Sequence, residues 1–365
     1  MELDCRRLLT EWAMGKNGRK LVLYMKENRC AFLHKEHYFE IREEDIPVPK
    51  DDEALVKIEA NGICGSDIHF FAEGRLGNFL VTTPYIPGHE ASGTVIAVGK
   101  NVNCAEKGQR VIIEPGIPCG RCEKCLSGRY NLCRDVVFFS APPTNGTLCD
   151  YICVRADFLH KMPDELSFIK GAMAEPAAVA VHAVNQAIKA GSIAGKTAAV
   201  IGAGPIGLLV MQVFKIMGGG RVTAVDISEF KLKKAKELGA DYAVNSANFE
   251  VEDNSADVVF ETAGVPKTTA QMLQIVRPGG TMIQVGWPAG NMVTMNIADF
   301  IEKELTYKSV NRYANAFPAA IQYLTDGRIE IDKMISKSFS FEQTEDAFRY
   351  AHDFAGEVIK IAIMN

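Results

Sequence analysis

The sequence lacks any apolar run of about 18 residues, the length that a membrane-spanning helix needs. Its first residues, MELDCRRLLTEWAMGKNGRK, place charges within a short apolar stretch, so no secretory signal is predicted. A concentrated basic face is also missing, because Lys and Arg are scattered and the net charge is -5. We therefore expect a cytoplasmic protein with no membrane partner and no nucleic-acid partner.

What is present is the composition of an ordinary globular protein, with 47% hydrophobic and 23% charged residues. A chain of 365 residues exceeds the size at which one hydrophobic core stops growing, so two domains with a cleft between them are expected. The ten cysteines, in a large chain without an export signal, indicate metal ligands and buried thiols rather than disulfides.

The pattern of apolar, polar and turn-forming residues changes along the chain. Residues 1–19 form an extension in which Leu8, Leu9 and Trp12 suit a short amphipathic helix, although a frayed terminus is the commoner outcome, and we assign it no function. Residues 20–175 carry short β-rich runs without a long amphipathic helix: KLVLYM, ALVKIEA, ASGTVIAVG, RVIIEP and LCDYICV. This pattern predicts an all-β, barrel-like unit.

Residues 176–312 alternate helical segments with buried strands, which predicts a doubly wound parallel sheet. After about residue 312 one more helical stretch and the apolar run EVIKIAIM are expected to fold back onto the first unit. The fold class is therefore α/β, with a discontinuous β-rich domain (20–175 and 313–365) and a parallel-sheet domain (176–312).

A dinucleotide fingerprint follows the first strand of the predicted parallel sheet. In GAGPIG, Gly202 allows a tight turn, Gly204 lets the backbone approach a pyrophosphate, and Gly207 permits close packing of the next helix. The helix N-terminus then faces the phosphates. A lone motif of this kind is often only a glycine-rich turn, but here a strand precedes it and an apolar helix follows.

The next strand, RVTAVD, ends at Asp226, 19 residues beyond Gly207. A carboxylate at this place accepts hydrogen bonds from the ribose hydroxyls of NAD and repels the 2′-phosphate of NADP. Lys231 nearby leaves use of both cofactors open, and the alternative for Asp226 is a mere cap on the next helix.

Four cysteines form C-x2-C-x2-C-x7-C: Cys119, Cys122, Cys125 and Cys133. Four thiolates at this spacing predict a closed tetrahedral zinc site with a structural role. Three alternatives are two disulfides, an iron–sulfur cluster and a nucleic-acid-binding finger. The expected cytoplasmic compartment argues against disulfides, and the spacing differs from that usual for an iron–sulfur cluster. The acidic charge balance argues against a nucleic-acid-binding finger.

Several motifs in fixed order carry a family resemblance: GICGSDIH, PGHEASGTVIAVG, the cysteine quartet and GAGPIG. From about residue 20 to the C-terminus the chain resembles the medium-chain zinc alcohol dehydrogenases. The resemblance implies a GroES-like catalytic domain, a Rossmann-fold domain, NAD as cofactor, and both a catalytic and a structural Zn²⁺. It also implies a homo-oligomer, either a dimer or a tetramer.

Further segments are similar to the sorbitol dehydrogenase branch: GRYNLC, residues 138–149, Glu175-Pro176 and the run NRYAN at 311–315. That branch oxidises a secondary hydroxyl of a polyol to the ketose. The resemblance implies a catalytic zinc on Cys64, His89 and Glu90, with Glu175 binding directly or through water. A carboxylate at the place of Glu90 lies behind the ligands in some related enzymes, so the direct carboxylate ligand stays open.

Three protein ligands and one open position suit a catalytic zinc, where the substrate oxygen would bind. The resemblance implies that the alcohol proton leaves through Ser66, a cofactor ribose hydroxyl and His69. An ordinary surface or core histidine is the alternative for His69, at about even odds.

The same resemblance implies further contacts. Residues expected at the cofactor, beyond the fingerprint glycines and Asp226, are Ile206, Lys231, Val285, Gly286, Trp287, Asn311 and Arg312. Residues expected at the substrate are Phe70, Glu175, Arg312 and Tyr313. Phe70 stands where polyol dehydrogenases often have tyrosine, so one hydrogen bond to a substrate hydroxyl is lost.

Two other functions remain open. The first is a dehydrogenase for another secondary alcohol, such as threonine or a vicinal diol, on the same machinery. The second is a non-catalytic descendant that keeps the fold as a structural or binding protein. The joint presence of Cys64, Ser66, His89 and Glu90 argues against the second, because packing alone does not require this combination.

Overall fold

The computed structural model describes residues 27–35, 37–248 and 250–365. The predicted helix at Leu8, Leu9 and Trp12 and the predicted strand KLVLYM lie outside these residues. In the first half of the chain the elements are β1 Asn28–Leu33, β2 Phe39–Glu44, β3 Glu53–Gly62, α1 Gly65–Glu73, β4 Arg75–Leu76, β5 Phe79–Leu80, β6 Glu90–Val98, β7 Arg110–Ile113, β8 Gly116–Ile117, α2 Glu123–Leu126, β9 Val137–Phe138, β10 Tyr151–Arg155, β11 Leu159–Lys161 and α3 Phe168–Ala172.

The second half alternates helices and strands as the sequence predicts. Its elements are α4 Ala174–Ile188, β12 Ala198–Ile201, α5 Pro205–Ile216, β13 Val222–Asp226, α6 Glu229–Glu237, β14 Tyr242–Asn245, β15 Ala256–Glu261, α7 Pro266–Ile275, β16 Val276–Gln284, α8 Ile297–Glu302, β17 Thr306–Ser309, α9 Phe317–Thr325, β18 Ile335–Ser340, α10 Thr344–Asp353 and β19 Lys360–Met364. Short 3-10 turns connect several of them, including Tyr130–Leu132.

The first sheet joins both ends of the chain. Its strands run in the order β11-β7-β6-β3-β19-β18, and β10 also pairs with β3. The last strand, β19, lies antiparallel to β3 with Ala362 opposite Gly62, and parallel to β18. The C-terminal apolar run therefore completes the sheet that carries β3, the strand before Cys64.

The second sheet has six parallel strands in the order β14-β13-β12-β15-β16-β17. Numbered along the chain this is 3-2-1-4-5-6, the order of a dinucleotide-binding Rossmann sheet. The order reverses beside β12, and a crevice opens there at the carboxyl ends of the strands. The predicted fold class, a β-rich unit with a doubly wound parallel sheet, is confirmed.

Local sequence signals explain where several helices begin. Pro205 and Pro266 open α5 and α7 at positions where the missing amide hydrogen costs nothing. Ser228 caps α6, since its hydroxyl accepts a hydrogen bond from the Lys231 amide at 3.3 Å. Asp226 is therefore not the N-cap of that helix.

Helix α4 packs between the two sheets. Its alanines and valines are buried in a cluster that includes Ala60 and Ile112 of the first sheet and Val200 of the second. The N-terminal end of α4 carries Glu175, which is thereby held between the two halves of the molecule.

The segment after β17 packs against both halves of the molecule. Residues 317–334 lie against α4 and α5, where the Glu330 amide donates to Gln212 Oε1 at 2.8 Å. Residues 335–364 contribute the two strands of the first sheet. The boundary at residue 313 stays a prediction, and this packing favours a crossover nearer residue 335. Within the described ranges, no helix combines the length and the apolar character that crossing a bilayer requires.

Candidate active site and metal centres

Two neighbouring strands bring the first set of predicted ligands together. Cys64 follows the end of β3 and caps helix α1, while His89 and Glu90 lie at the start of β6. The strands pair with Gly62 opposite Glu90, so residues about 25 positions apart in sequence meet at one edge. One possible ligand atom from each of Cys64, His89 and Glu90 lies within 4.8 Å of the others.

A glycine makes this approach possible. A Cβ atom on Gly62 would lie 2.0 Å from Glu90 Oε2 and 2.7 Å from the Met173 side chain. Any side chain at residue 62 would therefore displace the Glu90 carboxylate. This contact explains why residue 62, the first position of the GICG motif, is a glycine.

Asp67 connects two of the candidate ligands. It is fully buried, and its Oδ2 accepts a hydrogen bond from the Cys64 amide at 3.2 Å, while Oδ1 lies 3.5 Å from His89 Nδ1. The Ser140 hydroxyl donates to Oδ1 at 2.6 Å. This arrangement leaves Nε2 of His89 as its metal-binding nitrogen and fixes the ring by an outer carboxylate, as is usual for metal-bound histidine.

Glu90 has a partner that the sequence analysis did not identify. Lys360, at the start of β19, places its ammonium 2.6 Å from Glu90 Oε1 and 2.5 Å from Oε2, and both side chains are buried. Burial alone lowers the pKa of Lys360, but the charge and hydrogen bond of Glu90, together with Cys64 and Glu175, raise it overall. The signal for this pair in the sequence is the lysine within the apolar run EVIKIAIM, because a buried charge requires a partner of opposite charge.

In protein freed of the metal at Cys64, His89 and Glu90, replacing Lys360 by methionine is expected to lower the free energy of unfolding by about 3–5 kcal/mol, because the Glu90 carboxylate is left buried and unpaired. Urea unfolding followed by circular dichroism measures this change. Adding Glu90→Gln to the Lys360→Met variant should restore most of the loss. Lys57→Met is the control: its pair with Glu59 is partly exposed, so a change below about 1 kcal/mol is expected. Equal losses in both single variants would contradict the buried-pair account.

Glu175 lies close to the Cys64–His89–Glu90 group without joining it. It is not among the described residues whose ligand atoms come within 4.8 Å of one another. Burial, together with Glu90, raises the pKa of Glu175 to about 7, against a lowering effect of His89. The nearby Tyr313 hydroxyl is buried without a hydrogen-bond partner in the described structure, and burial with Glu175 raises its pKa.

The cysteine quartet forms the second group of candidate ligands. The sulfurs of Cys119, Cys122, Cys125 and Cys133 lie within 4.8 Å of one another. The Cys122–Cys125 and Cys119–Cys125 sulfur distances are 3.4 and 3.9 Å. Tetrahedral zinc with bonds near 2.3 Å needs separations of roughly 3.8 Å, so the group fits this metal. None of the four quartet cysteines forms a disulfide in the described structure, which disfavours the disulfide alternative.

The glycine-rich turn is shaped for a phosphate. Gly202 has φ 97°, and a Cβ on Gly207 would lie 1.8 Å from the Gly202 carbonyl oxygen. Gly204 caps α5, whose first turn therefore directs free amides out of the turn. Ile206 lies in that first turn, half-buried.

Asp226 ends β13 beside this turn. Its Oδ2 accepts from the Ala203 amide at 2.7 Å, and Oδ1 accepts from the Ile227 and Ser228 amides at 2.8 and 2.9 Å. The carboxylate is thus fixed at the carboxyl edge of the parallel sheet, where a ribose would bind. Lys231 lies half-buried on the first turn of α6.

A cleft of about 330 Å³ separates helix α1 from the loop after β16. His69 lies on one side, exposed and 2.8 Å from Glu73, and Trp287 lies on the other. Val285 and Gly286 precede Trp287 and donate their amides to the Glu261 carbonyl. Ser66 is half-buried in the first turn of α1. A larger cavity of about 710 Å³ lies elsewhere on the parallel-sheet side and contains none of the predicted site residues.

The remaining predicted contacts lie near the first metal group. Phe70 is buried, with its ring edge-on to Tyr85 at 6.0 Å. The Arg312 guanidinium lies over the Phe138 ring at 4.6 Å, and that ring is 5.5 Å from His89. Asn311 and Tyr313 flank Arg312 in the chain, and Tyr313 is buried.

The donor sets fit the two metals that the sequence predicts. One thiolate, one imidazole and one carboxylate with an open position are typical of catalytic zinc, and four thiolates are typical of structural zinc. The strand order, the turn and Asp226 together fit a dinucleotide. The molecule therefore has the parts of a zinc-containing, nucleotide-dependent dehydrogenase.

Comparison with known proteins agrees with this class. The alcohol dehydrogenase GroES-like domain matches residues 50–164, and the zinc-binding dehydrogenase domain matches residues 205–326. Sorbitol dehydrogenase of Bacillus subtilis (strain 168) is 38% identical over 345 residues, covering 92% of this chain and 96% of that protein. Sorbitol dehydrogenase of Gallus gallus is 36% identical over 347 residues, covering 92% and 96%.

A solved structure gives the same result. L-idonate 5-dehydrogenase from Escherichia coli K-12 superimposes with a TM-score of 0.87 at 32% identity, covering 93% of this chain and 98% of that one. The chain belongs to the medium-chain zinc-dependent alcohol dehydrogenase family and is similar to its sorbitol dehydrogenases. The predicted enzyme class and the predicted cofactors, zinc and NAD, are confirmed.

Proposed function

We propose that this enzyme oxidises a secondary hydroxyl of a polyol to a ketone, with NAD⁺ as the hydride acceptor. The observation that carries the proposal is the Cys64–His89–Glu90 group, in which Cys64 caps α1, the helix whose His69 lines a cleft opposite Trp287. Polyol as the substrate class is supported by two relatives that are named sorbitol dehydrogenase.

Roles follow for the residues at this site. Cys64, His89 and Glu90 would hold the catalytic zinc, with Glu175 beside the open position. Phe70, Arg312 and Tyr313 would contact the substrate, together with Glu175. Cofactor binding is assigned to Gly202, Gly204, Ile206, Gly207, Asp226, Lys231, Val285, Gly286, Trp287, Asn311 and Arg312. The quartet Cys119, Cys122, Cys125 and Cys133 would hold the structural zinc.

The reaction separates a proton and a hydride from one carbinol. A zinc ion held by Cys64, His89 and Glu90 would supply the Lewis acidity that makes the hydroxyl acidic near neutral pH, and bound NAD⁺ would supply the hydride acceptor. Ser66, half-buried at the start of α1, would accept the hydroxyl proton while passing on its own. His69 lies one helical turn further on with half of its side chain exposed, so it is placed to receive the relayed proton and release it to water.

The test is zinc content per chain together with NADH formation from a panel of sorbitol, xylitol, galactitol, threonine, 2,3-butanediol and simple alcohols. Two zinc ions per chain and the highest kcat/KM on polyols are expected. Preference for threonine or butanediol would assign a different secondary alcohol to the same site. One zinc ion and no turnover on the panel would indicate a non-catalytic relative.

We also propose that the chain forms a homo-oligomer, a dimer or a tetramer, in the cytoplasm. Exposed apolar side chains near the β17 edge support an interface: Met292, Ile297 and Ile301 are 78%, 63% and 69% exposed. Free cysteines in a metal-binding pattern suit a reducing compartment. Sedimentation equilibrium of the zinc-loaded protein tests the oligomer, and a monomer at micromolar concentration would reject it.

A further inference from the structure

The loop between the last two quartet cysteines contacts the segment that carries Arg312 and Tyr313. We call residues 126–132 the quartet loop and residues 311–315 the junction segment, which carries Arg312 and Tyr313. The quartet loop is tied at each end to a candidate zinc ligand, Cys125 or Cys133. It lies about 180 residues away in sequence from the junction segment, so only the fold brings the two together.

Three hydrogen bonds hold the junction segment on both sides of Arg312 and Tyr313. The buried Asn131 side chain donates to the Asn311 carbonyl at 2.9 Å. On the far side, the Asn315 amide donates to the Tyr130 hydroxyl at 2.8 Å, and the Asn315 side chain donates to the Gly128 carbonyl at 2.9 Å.

The backbone of the junction segment needs such support. Arg312 and Asn315 have φ 55° and 56°, in the left-handed region that non-glycine residues rarely adopt. Asparagine tolerates this conformation, but an arginine there persists only where the surroundings hold it. The hydrogen bonds at Asn311 and Asn315 flank this strained position.

Tyr130 is itself fixed from the first sheet. Its hydroxyl donates to Glu114 Oε1 at 2.8 Å, and the other oxygen of this buried carboxylate lies 2.7 Å from His160 Nε2. The His160 ring stacks on Phe317 at 4.7 Å, and Phe317 meets Tyr313 edge-on at 5.2 Å. A continuous set of contacts therefore runs from the quartet loop to both ends of the junction segment.

We propose that the cysteine quartet and its loop position Arg312 and Tyr313 for the substrate, with Tyr130 and Asn131 as the positioning residues. The metal at the quartet would then act on turnover through the quartet loop, in addition to stabilising the lobe. This inference rests on the proposed function, since it takes Arg312 and Tyr313 as contacts to substrate and nicotinamide.

Tyr130→Phe tests the proposal, because it removes the hydroxyl but keeps the ring that packs edge-on against Phe158 at 5.9 Å. Misplacement of a substrate contact by a fraction of an ångström costs roughly 10- to 100-fold in rate. We expect kcat/KM for the best polyol to fall by about tenfold, mainly through a higher KM. Zinc content should stay unchanged, and NADH binding measured by fluorescence should weaken by only a few fold.

Three comparisons make the result specific. Tyr242→Phe, an exposed tyrosine on the far edge of the parallel sheet, should leave KM and kcat unchanged. In a background that carries both Arg312→Ala and Tyr313→Phe, Tyr130→Phe should have almost no further effect on KM, because residues that act through one another are not additive. Asn131→Ala should give the same pattern as Tyr130→Phe.

The outcomes separate this inference from the proposed function. Loss of thermal stability in Tyr130→Phe with unchanged KM and kcat at 25 °C would overturn the positioning role. A further tenfold effect of Tyr130→Phe in the background that carries both Arg312→Ala and Tyr313→Phe would also overturn it, since Tyr130 would then act independently of these two residues. If Arg312→Ala itself leaves polyol kinetics unchanged, the proposed substrate role of Arg312 fails instead.

Discussion

Cys64→Ser is expected to abolish turnover, with a loss of about a thousandfold or more, because metal activation supplies several kcal/mol to this kind of reaction. Serine at residue 64 can still cap α1, but its neutral hydroxyl is a poor zinc ligand. Only one of the two candidate metal groups is changed. We therefore expect one zinc ion per chain to be lost and the quartet zinc to remain, as measured by inductively coupled plasma mass spectrometry.

A matched control is available in the same chain. Cys104 is exposed and belongs to neither metal group in the described structure, so Cys104→Ser should keep both zinc ions and full turnover. The far-ultraviolet circular dichroism of both variants should match that of the parent. Turnover in Cys64→Ser close to that of Cys104→Ser would reject the Cys64–His89–Glu90 group as the catalytic centre.

The sequence predicts the parallel-sheet half in detail because its signals are local. The apolar strands, the glycines of GAGPIG and the terminal Asp226 all lie within a short span, and each belongs to one turn or one strand. The structure adds the order 3-2-1-4-5-6, which is the usual one for a dinucleotide-binding sheet. Local chemistry therefore defines where a dinucleotide would bind.

The catalytic group shows what pattern alone leaves undetermined. Spacing in sequence does not place Cys64 beside Glu90; the register of β3 against β6 does, with Gly62 opposite Glu90. The family resemblance supplied this grouping, and the strand register supplies its physical reason. The Lys360 partner depends on β19, which enters the sheet from the other end of the chain. Long-range strand pairing of this kind has no local signal beyond a charge in an apolar run.

The quartet loop presents the same difficulty. The four cysteines predict a metal from spacing alone, because thiolates at these intervals suit one ion. The contacts of Tyr130 and Asn131 with the junction segment depend on the packing of the two halves of the molecule. A motif such as GRYNLC therefore indicates a relationship without revealing that its tyrosine and asparagine contact Arg312's neighbours.

Asp226→Ala is expected to shift cofactor preference from NAD towards NADP by roughly 10- to 100-fold in the ratio of kcat/KM values, since like charges in contact cost several kcal/mol. The alanine removes repulsion of the 2′-phosphate and also removes the acceptor for the ribose hydroxyls of NAD. Steady-state kinetics with each cofactor at saturating polyol measure both changes.

The structure shows why a second variant is needed at this position. Asp226 also accepts the amides of Ala203, Ile227 and Ser228, so alanine could loosen the phosphate turn and weaken both cofactors equally. Asp226→Asn removes the charge, while its one carbonyl oxygen can still accept from the Ile227 and Ser228 amides, and it should shift the preference in the same direction. Asp241→Asn is the control, because this carboxylate accepts the Val222 amide at the opposite end of β13. An unchanged NADP/NAD ratio in both Asp226 variants would show that this carboxylate does not select the cofactor.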